Sequence, residues 1–405
     1  MPDSGWPVAL KRLTPWSTIL CVSVLAGSAT IARSADPAPQ TAQHARNYFV
    51  YAGTYTGPNS KGIYAYRFDE VQGRLTPMGL AAETSNPSFV VADPANRHLY
   101  VVNEMSEPGP DAYKVNGSIS SFAIDPKDGA LKFLNKVSSG GGGPCHLALD
   151  RTGKILFVAN YGSGNVASFA VQNDGSIGAM TGFDQHRGSS VNPQRQEGPH
   201  AHAVVISPDN RFLFVPDLGL DRIMIYRIDA EKRTFAPNTP AYVSVKAGLG
   251  PRHLVFGAGA RFAYVLCEMG SSVVAFSYDK PSGKLTAIQT ISTLPAGFSG
   301  EDNSAEIEVG KSGRFLYASN RGHDSITEFQ INAKTGLLTK GQITPTQGKT
   351  PRNFVIDPTG RYLLAANQES NNIVVFKIDS SNGHLRLANQ MVDCPAPVSL
   401  LFVPE

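Results

Sequence analysis

The side chains of this chain best suited to chemistry are two imidazoles two residues apart, His200 and His202, the Arg252 guanidinium in Pro251-Arg252-His253, the Glu268 carboxylate and the Arg321 guanidinium. An imidazole can take a proton from water near neutral pH, a carboxylate can orient or share one, and the fixed fork of a guanidinium suits an oxyanion or a carboxylate. His200 and His202 read as alternate residues of one strand, so both would face the same ligand. Around them His146, Glu104, Glu306, Arg352 and Gln368 are candidates for holding a substrate. These residues are scattered along the chain and can act together only if the fold gathers them.

A recurring phrase supplies such a fold. Gly143-Pro144-Cys145-His146-Leu147-Ala148-Leu149 passes through a turn at Thr152-Gly153 into Ile155-Leu156-Phe157-Val158-Ala159-Asn160, then through Ser163-Gly164-Asn165 into Val166 to Val171. The same order restarts at Asn86-Pro87, Gly198-Pro199, Gly250-Pro251, Asn303-Ser304, Thr350-Pro351 and Ala396-Pro397. Short runs rich in Val, Ile, Leu, Phe and Tyr, separated by Gly, Pro, Asn and Asp, read as strands and turns. Four strands per unit at this period predict an all-β, seven-bladed β-propeller with four-stranded blades. The last start supplies one strand, and Tyr48 to Tyr55, Gly62 to Phe68 and Arg74 to Ala82 supply the other three of its blade. The two termini therefore share one blade and close the ring.

In such a ring the first strand of each blade lines the axis. Just after each blade opening stand Ser88, Cys145, His202, Arg252, Ala305 and Arg352, followed by Phe89, His146, Ala203, His253, Glu306 and Asn353. After the Asn or Asp that ends most of the second strands come Glu104, Tyr161, Leu218, Glu268, Arg321 and Gln368. Polar residues that differ between otherwise repetitive positions predict a site built once, from many blades. The competing reading is that propellers use such residues to satisfy buried backbone groups. His146 and His253, in alternate phase to Arg252, read more as framework than as catalysts. Tyr161 and Phe89 read as channel walls, and Glu308 as solvent-exposed. The insertions Ser106 to Asn116 and Asp184 to Glu197 are expected to be loops, the second either beside the site or a solvated excursion.

Composition narrows the function classes. With 41% hydrophobic and 17% charged residues the chain can bury a large core. Its 36 basic and 33 acidic residues nearly cancel, without the basic stripe of a nucleic-acid binder. Lys11-Arg12, an apolar run from about Trp16 to Ala26 and small residues through Ala35 read as a secretory signal and leader over 1–35. A short linker over 36–47 and one propeller domain over 48–405 follow. The expected location is therefore periplasmic or extracellular, without stable membrane insertion once the signal is removed; an uncleaved anchor is the alternative. Cys145, Cys267 and Cys394 read as small buried residues. Neither HExxH nor a CxxC pair is present, so no metal or cofactor is expected. A divalent ion on Glu268, Glu306 and a histidine is the alternative.

The repeat phrases resemble the lactonase family of seven-bladed propellers, which includes 6-phosphogluconolactonases of the propeller type and the fungal carboxy-muconate lactonizing enzyme. The likeness runs from about Tyr48 to Val403 and is most specific at Gly250-Pro251-Arg252-His253-Leu254, at Phe298-Ser299-Gly300 through Ser304-Ala305-Glu306-Ile307, at Ser319-Asn320-Arg321-Gly322-His323 and at Thr350-Pro351-Arg352-Asn353-Phe354. The resemblance implies hydrolysis of a small lactone, with His202 or His200, Arg252, Glu268 and Arg321 in the active site. On that reading His202, assisted by His200, is the base, Arg252 and Arg321 clamp the oxyanion and a carboxylate, and Glu268 is a second acid/base or orients Arg252. Export makes a cytosolic sugar phosphate a poor substrate, and a sugar or aromatic-derived lactone a better one. The expected partner is this small lactone or an organic acid, with the protein a monomer or weak homodimer. Two other readings stand beside it: a non-catalytic propeller that binds a ligand or protein, and a muconate-type cycloisomerase.

Overall fold

A computed structural model describes residues 47–108 and 115–405. The expected signal and most of the linker lie outside the described residues. The described residues form seven antiparallel four-stranded sheets, each built from strands consecutive in sequence except the blade shared by the termini. The only helical element among the described residues is the short turn Ala258–Ala260. None of the described helices is long and apolar enough to cross a membrane.

Burial explains the sequence pattern. The second and third strands of the third blade, Ile155–Asn160 and Asn165–Val171, are buried along their whole length, whereas the outer strand Ile177–Gln185 is largely open to solvent. The inner strands are covered on both faces by neighbouring blades and so read as unbroken apolar runs. The cores accordingly lie between blades: Phe212 and Phe214 of the fourth pack with Leu254, Val265 and Phe276 of the fifth. A tyrosine on the second strand staples several of these junctions. Tyr51, Tyr100 and Tyr317 donate to the carbonyls of Gly129, Gly175 and Gly383 at 2.7, 2.9 and 2.7 Å. Gly383 has φ of 80°, and a Cβ there would come within 2.6 Å of the Phe315 ring. Only glycine fits such a turn.

The termini meet as expected. Pro397–Pro404 pairs with Asn47–Thr54, in the register Tyr48 to Pro404, Val50 to Phe402 and Ala52 to Leu400, and it is the axial strand of that blade.

Three expectations need correction. His200 and His202 do not share a regular strand: the axial strand of the fourth blade is only Val205–Ile206, and Ala201 makes an isolated bridge to Asp217. The Asp217 carboxylate accepts the His200 N–H at 2.8 Å, and the two imidazoles go to different places. The insertions are also partly strand, because their ends extend hairpins: Ser106–Pro108 continues His98–Pro108, Val115–Asn116 opens Val115–Ile124, and Asp184–Gln185 ends Ile177–Gln185. Glu308, finally, is only partly exposed, and its carboxylate accepts the Ile356 N–H at 3.2 Å. Burial and the neighbouring Glu306 push that carboxyl up to about 8.

Candidate active site

One backbone contact recurs around the ring. The N–H of the residue leaving the second strand bonds the carbonyl of the residue that opens the axial strand: Glu104 to Asn86, Tyr161 to Gly143, Glu268 to Gly250 and Gln368 to Thr350, at 2.7 to 3.0 Å. Tyr55 makes the same bond to Ala396 at 3.1 Å in the shared blade. This contact fixes a crown of side chains over one end of the channel.

There a pocket of about 370 Å³ is lined by Tyr55, Glu104, Cys145, Tyr161, Arg195, His202, Glu268, Asn303, Arg321 and Arg352. Glu268, 5% exposed, is its electrostatic centre. Its Oε2 accepts from Arg252 Nε at 3.0 Å and lies 2.9 Å from Arg321 Nη2, while Oε1 accepts from Arg195 Nη2 at 2.7 Å. Burial raises the carboxyl, but Arg321, Arg252 and Arg195 outweigh burial and hold it at about 2. Glu268 is therefore ionised throughout the neutral range. His202 Nε2 stands 3.8 Å from Glu268 Oε2, in reach of a small shift or a bridging group. Burial, reinforced by the positive Arg252, holds that imidazole well below its ordinary range, so it is neutral and can accept a proton. Across the pocket Arg352 donates to Tyr55 Oη at 2.9 Å, and Tyr55 donates to Glu104 at 2.8 Å.

Of the expected residues, His202, Glu268, Arg321, Glu104 and Arg352 line this pocket; Arg252 does not, but lines the adjoining constriction and meets the pocket through its bond to Glu268. His200 does not line the pocket either. Its ring stacks on Tyr161 and its Nδ1 donates to the Tyr161 carbonyl at 2.9 Å, behind the wall. His146 lies lower in the channel, stacked on Phe89 with ring centroids 4.1 Å apart and edge-on to His253. Glu306 lies under Arg252 in a constriction shared with Phe89, His253 and Asn353. Gln368 is not among the lining residues, although its backbone holds the crown position. A cation shared by Glu268 and Glu306 is disfavoured by charge, because the Arg252 guanidinium lies between them. Cys145, Cys267 and Cys394 are buried and free, and burial pushes the Cys145 thiol up, so it stays protonated in the pocket wall.

Three lining residues were missed by the sequence reading. Tyr55 and Asn303 had a usable signal: Tyr55 is the crown position of the split blade, and Asn303 opens the axial strand of the sixth. Arg195 had only a coarse one: it sits on the insertion Asp184 to Glu197, one of whose two expected places was beside the site, but no repeat position marks the residue itself. That segment is packed in place. His186 pairs with Asp217 at 2.5 Å and with Tyr226 Oη at 2.8 Å. Buried Gln196 donates to the Leu218 carbonyl at 2.9 Å and to Asp221 at 2.7 Å, and Ser190 donates to Asp221 at 2.6 Å. The Arg195 side chain, 38% exposed, is thereby delivered to Glu268.

Residues 49–402 match the model of the family described as lactonase, 7-bladed beta-propeller. The chain is similar to the 6-phosphogluconolactonase of Bacillus subtilis strain 168, at 34% identity over 364 residues that cover 88% of this chain and 99% of that one. It is also similar to the 6-phosphogluconolactonase of Formosa agariphila, at 34% identity over 317 residues, 76% of this chain and 86% of that one. A solved structure of the Pseudomonas aeruginosa periplasmic gluconolactonase superposes with a TM-score of 0.83 at 37% identity, covering 88% of this chain and 99% of that one. The chain belongs to the lactonase family of seven-bladed β-propellers.

Proposed function

We propose that the lactone hydrolysis characteristic of this family is performed in the crown pocket, with His202 as general base and Arg252, Arg321 and Arg195 as the cationic wall. The observation that carries this reading is Glu268 held by three guanidiniums beside a neutral imidazole, in one pocket sized for a small cyclic ester. His202 takes a proton from water as the water oxygen bonds to the lactone carbonyl carbon. The carbonyl oxygen becomes an oxyanion, which the guanidiniums stabilise. The ring C–O bond then breaks, the leaving alkoxide takes the proton back from His202, and a hydroxy acid is released. Glu268, at about 2, is too weak a base for the proton transfer and instead fixes the arginines around it. Arg352, Tyr55 and Glu104 on the opposite wall are placed to bind the hydroxyl or anionic substituents of the ring. Arginines outnumber carboxylates in the lining, which favours a substrate carrying negative charge.

The substrate class we favour is a sugar or aromatic-derived lactone met outside the cytoplasm. The signal-like amino-terminal sequence supports this, as does similarity to the Pseudomonas aeruginosa periplasmic protein. A pH-stat panel of gluconolactone, its 6-phosphate and a muconolactone is expected to show acid release above the spontaneous rate for at least one of them. A non-catalytic propeller would show none. A cycloisomerase would consume muconate by absorbance without hydrolysing any lactone.

The state of His202 sets a pH dependence. A base must be proton-free, and this imidazole is held well below 6.5 in the free protein. The kcat/KM for the substrate found is thus expected to stay level from pH 7 down through 6.5 and to fall only at lower pH. An acidic limb centred at or above 6.5 would remove His202 from the role of base.

A further inference from the structure

We propose that His253 and Glu306, which do not line the crown pocket although the His253 ring packs edge-on against His202, are positioning residues that fix Arg252 for the reaction by locking a single tautomer of His253. Arg252 is 3% exposed, and its guanidinium is held from beneath: Nη1 donates to the Ala305 carbonyl and lies 3.1 Å from His253 Nε2. A guanidinium can only donate, so His253 Nε2 must accept. Burial and Arg252 lower the affinity of His253 for a second proton, although Glu306 opposes them, so the ring carries one N–H, and that N–H is on Nδ1. It points at Glu306 Oε1, 2.9 Å away.

The order of donors continues below. Glu306 Oε1 also accepts the Ile307 N–H at 2.9 Å, and Oε2 accepts from Asn353 Nδ2. Asn353 in turn accepts the Leu400 N–H at 2.9 Å through Oδ1. Both Glu306 oxygens are therefore acceptors, which only a carboxylate can provide. The chain runs through the shared blade, the seventh, the sixth and the fifth, and Glu306, His253 and Asn353 are all buried. Each member has its donor or acceptor matched, so Arg252 Nε is aimed at Glu268, and Nη2, unused by these contacts, is left for the substrate.

Replacing one Glu306 oxygen by an amide must leave a donor facing a donor somewhere in the chain. If the new NH2 faces His253, the imidazole proton moves to Nε2 and confronts Arg252. If it faces Asn353, the Asn353 amide must turn and confront the Leu400 N–H. Glu306→Gln is therefore expected to lower kcat by about 10–100-fold with KM little changed. The double variant Glu306→Gln/Asn353→Asp keeps the net charge and restores the order, since the carboxylate introduced at position 353 can accept both from the new amide at position 306 and from the Leu400 N–H. It is expected to recover most of the lost kcat. Nitrogen-15 NMR of labelled histidine should find the wild-type His253 protonated on Nδ1 alone. A wild-type proton on Nε2, an unaltered kcat in Glu306→Gln, or a double variant no better than the single one would each overturn the proposal. The kinetic readout rests on the lactonase reading. If the wild type turns over no lactone that reading fails, while the NMR readout still decides between tautomers.

Discussion

Arg252→Ala is expected to reduce kcat/KM for the hydrolysed lactone by ~10²–10³-fold, the usual loss on removing one oxyanion donor, with the ring still folded. The fold survives because Glu268 keeps Arg321 and Arg195 as counter-charges, and because the blade cores on either side are apolar and independent of the channel. Arg252→Lys should recover little. One ammonium cannot reproduce a fork that meets Glu268 through Nε and His253 and Ala305 through Nη1. Steady-state kinetics on the substrate found in the lactone panel, with a thermal melt as the folding control, checks this. An unaltered rate would eliminate Arg252 from the reaction.

Removing the carboxylate at the centre should cost more. In Glu268→Gln the buried Arg252 and Arg321 face one another without their common counter-charge, and a broken buried ion pair typically costs about 3–5 kcal/mol. We expect a clear drop in melting temperature together with near loss of activity, since the cationic wall is no longer held in one arrangement. The pH dependence of stability supplies a second signature. The Glu268 carboxyl falls from 4.5 to about 2 on folding, so its contribution is fully present above 4.5 and is lost as pH falls from 4.5 through about 2. Melting temperatures of wild type and Glu268→Gln should converge across that acid window. Curves that stay parallel through it would show that Glu268 is not held by its arginines.

The ring was legible in the sequence because a blade is a local unit: its strands are consecutive, its turns carry Gly, Asp or Asn, and the phrase repeats. The crown was partly legible for the same reason. Glu104, Tyr161, Glu268 and Arg321 stand at one repeat position, and departures from repetition there mark the pocket. Depth along the axis was not legible. Glu306 and His146 are neighbours in sequence of pocket positions, yet one step along an axial strand moves a side chain from the pocket to the layer beneath it. The disposition of His200 was lost because the alternation of a strand was assumed where the fourth blade has only an isolated bridge. The insertion Asp184 to Glu197 was legible as a loop that could stand beside the site, but Arg195 within it was not, because no period predicts where an inserted segment returns. Its place depends on the buried contacts of His186 and Gln196, which only the folded chain brings together.

The strand Pro397–Pro404 follows in the chain every strand that it locks into place, and it also contributes Leu400 to the contacts beneath the site. A growing polypeptide can assemble its middle blades as they emerge, since their contacts are local. The three early strands of the shared sheet must wait for a partner from the far end, a pairing of very high contact order and hence slow. Until that partner arrives the molecule is an open arc with an unfinished axis.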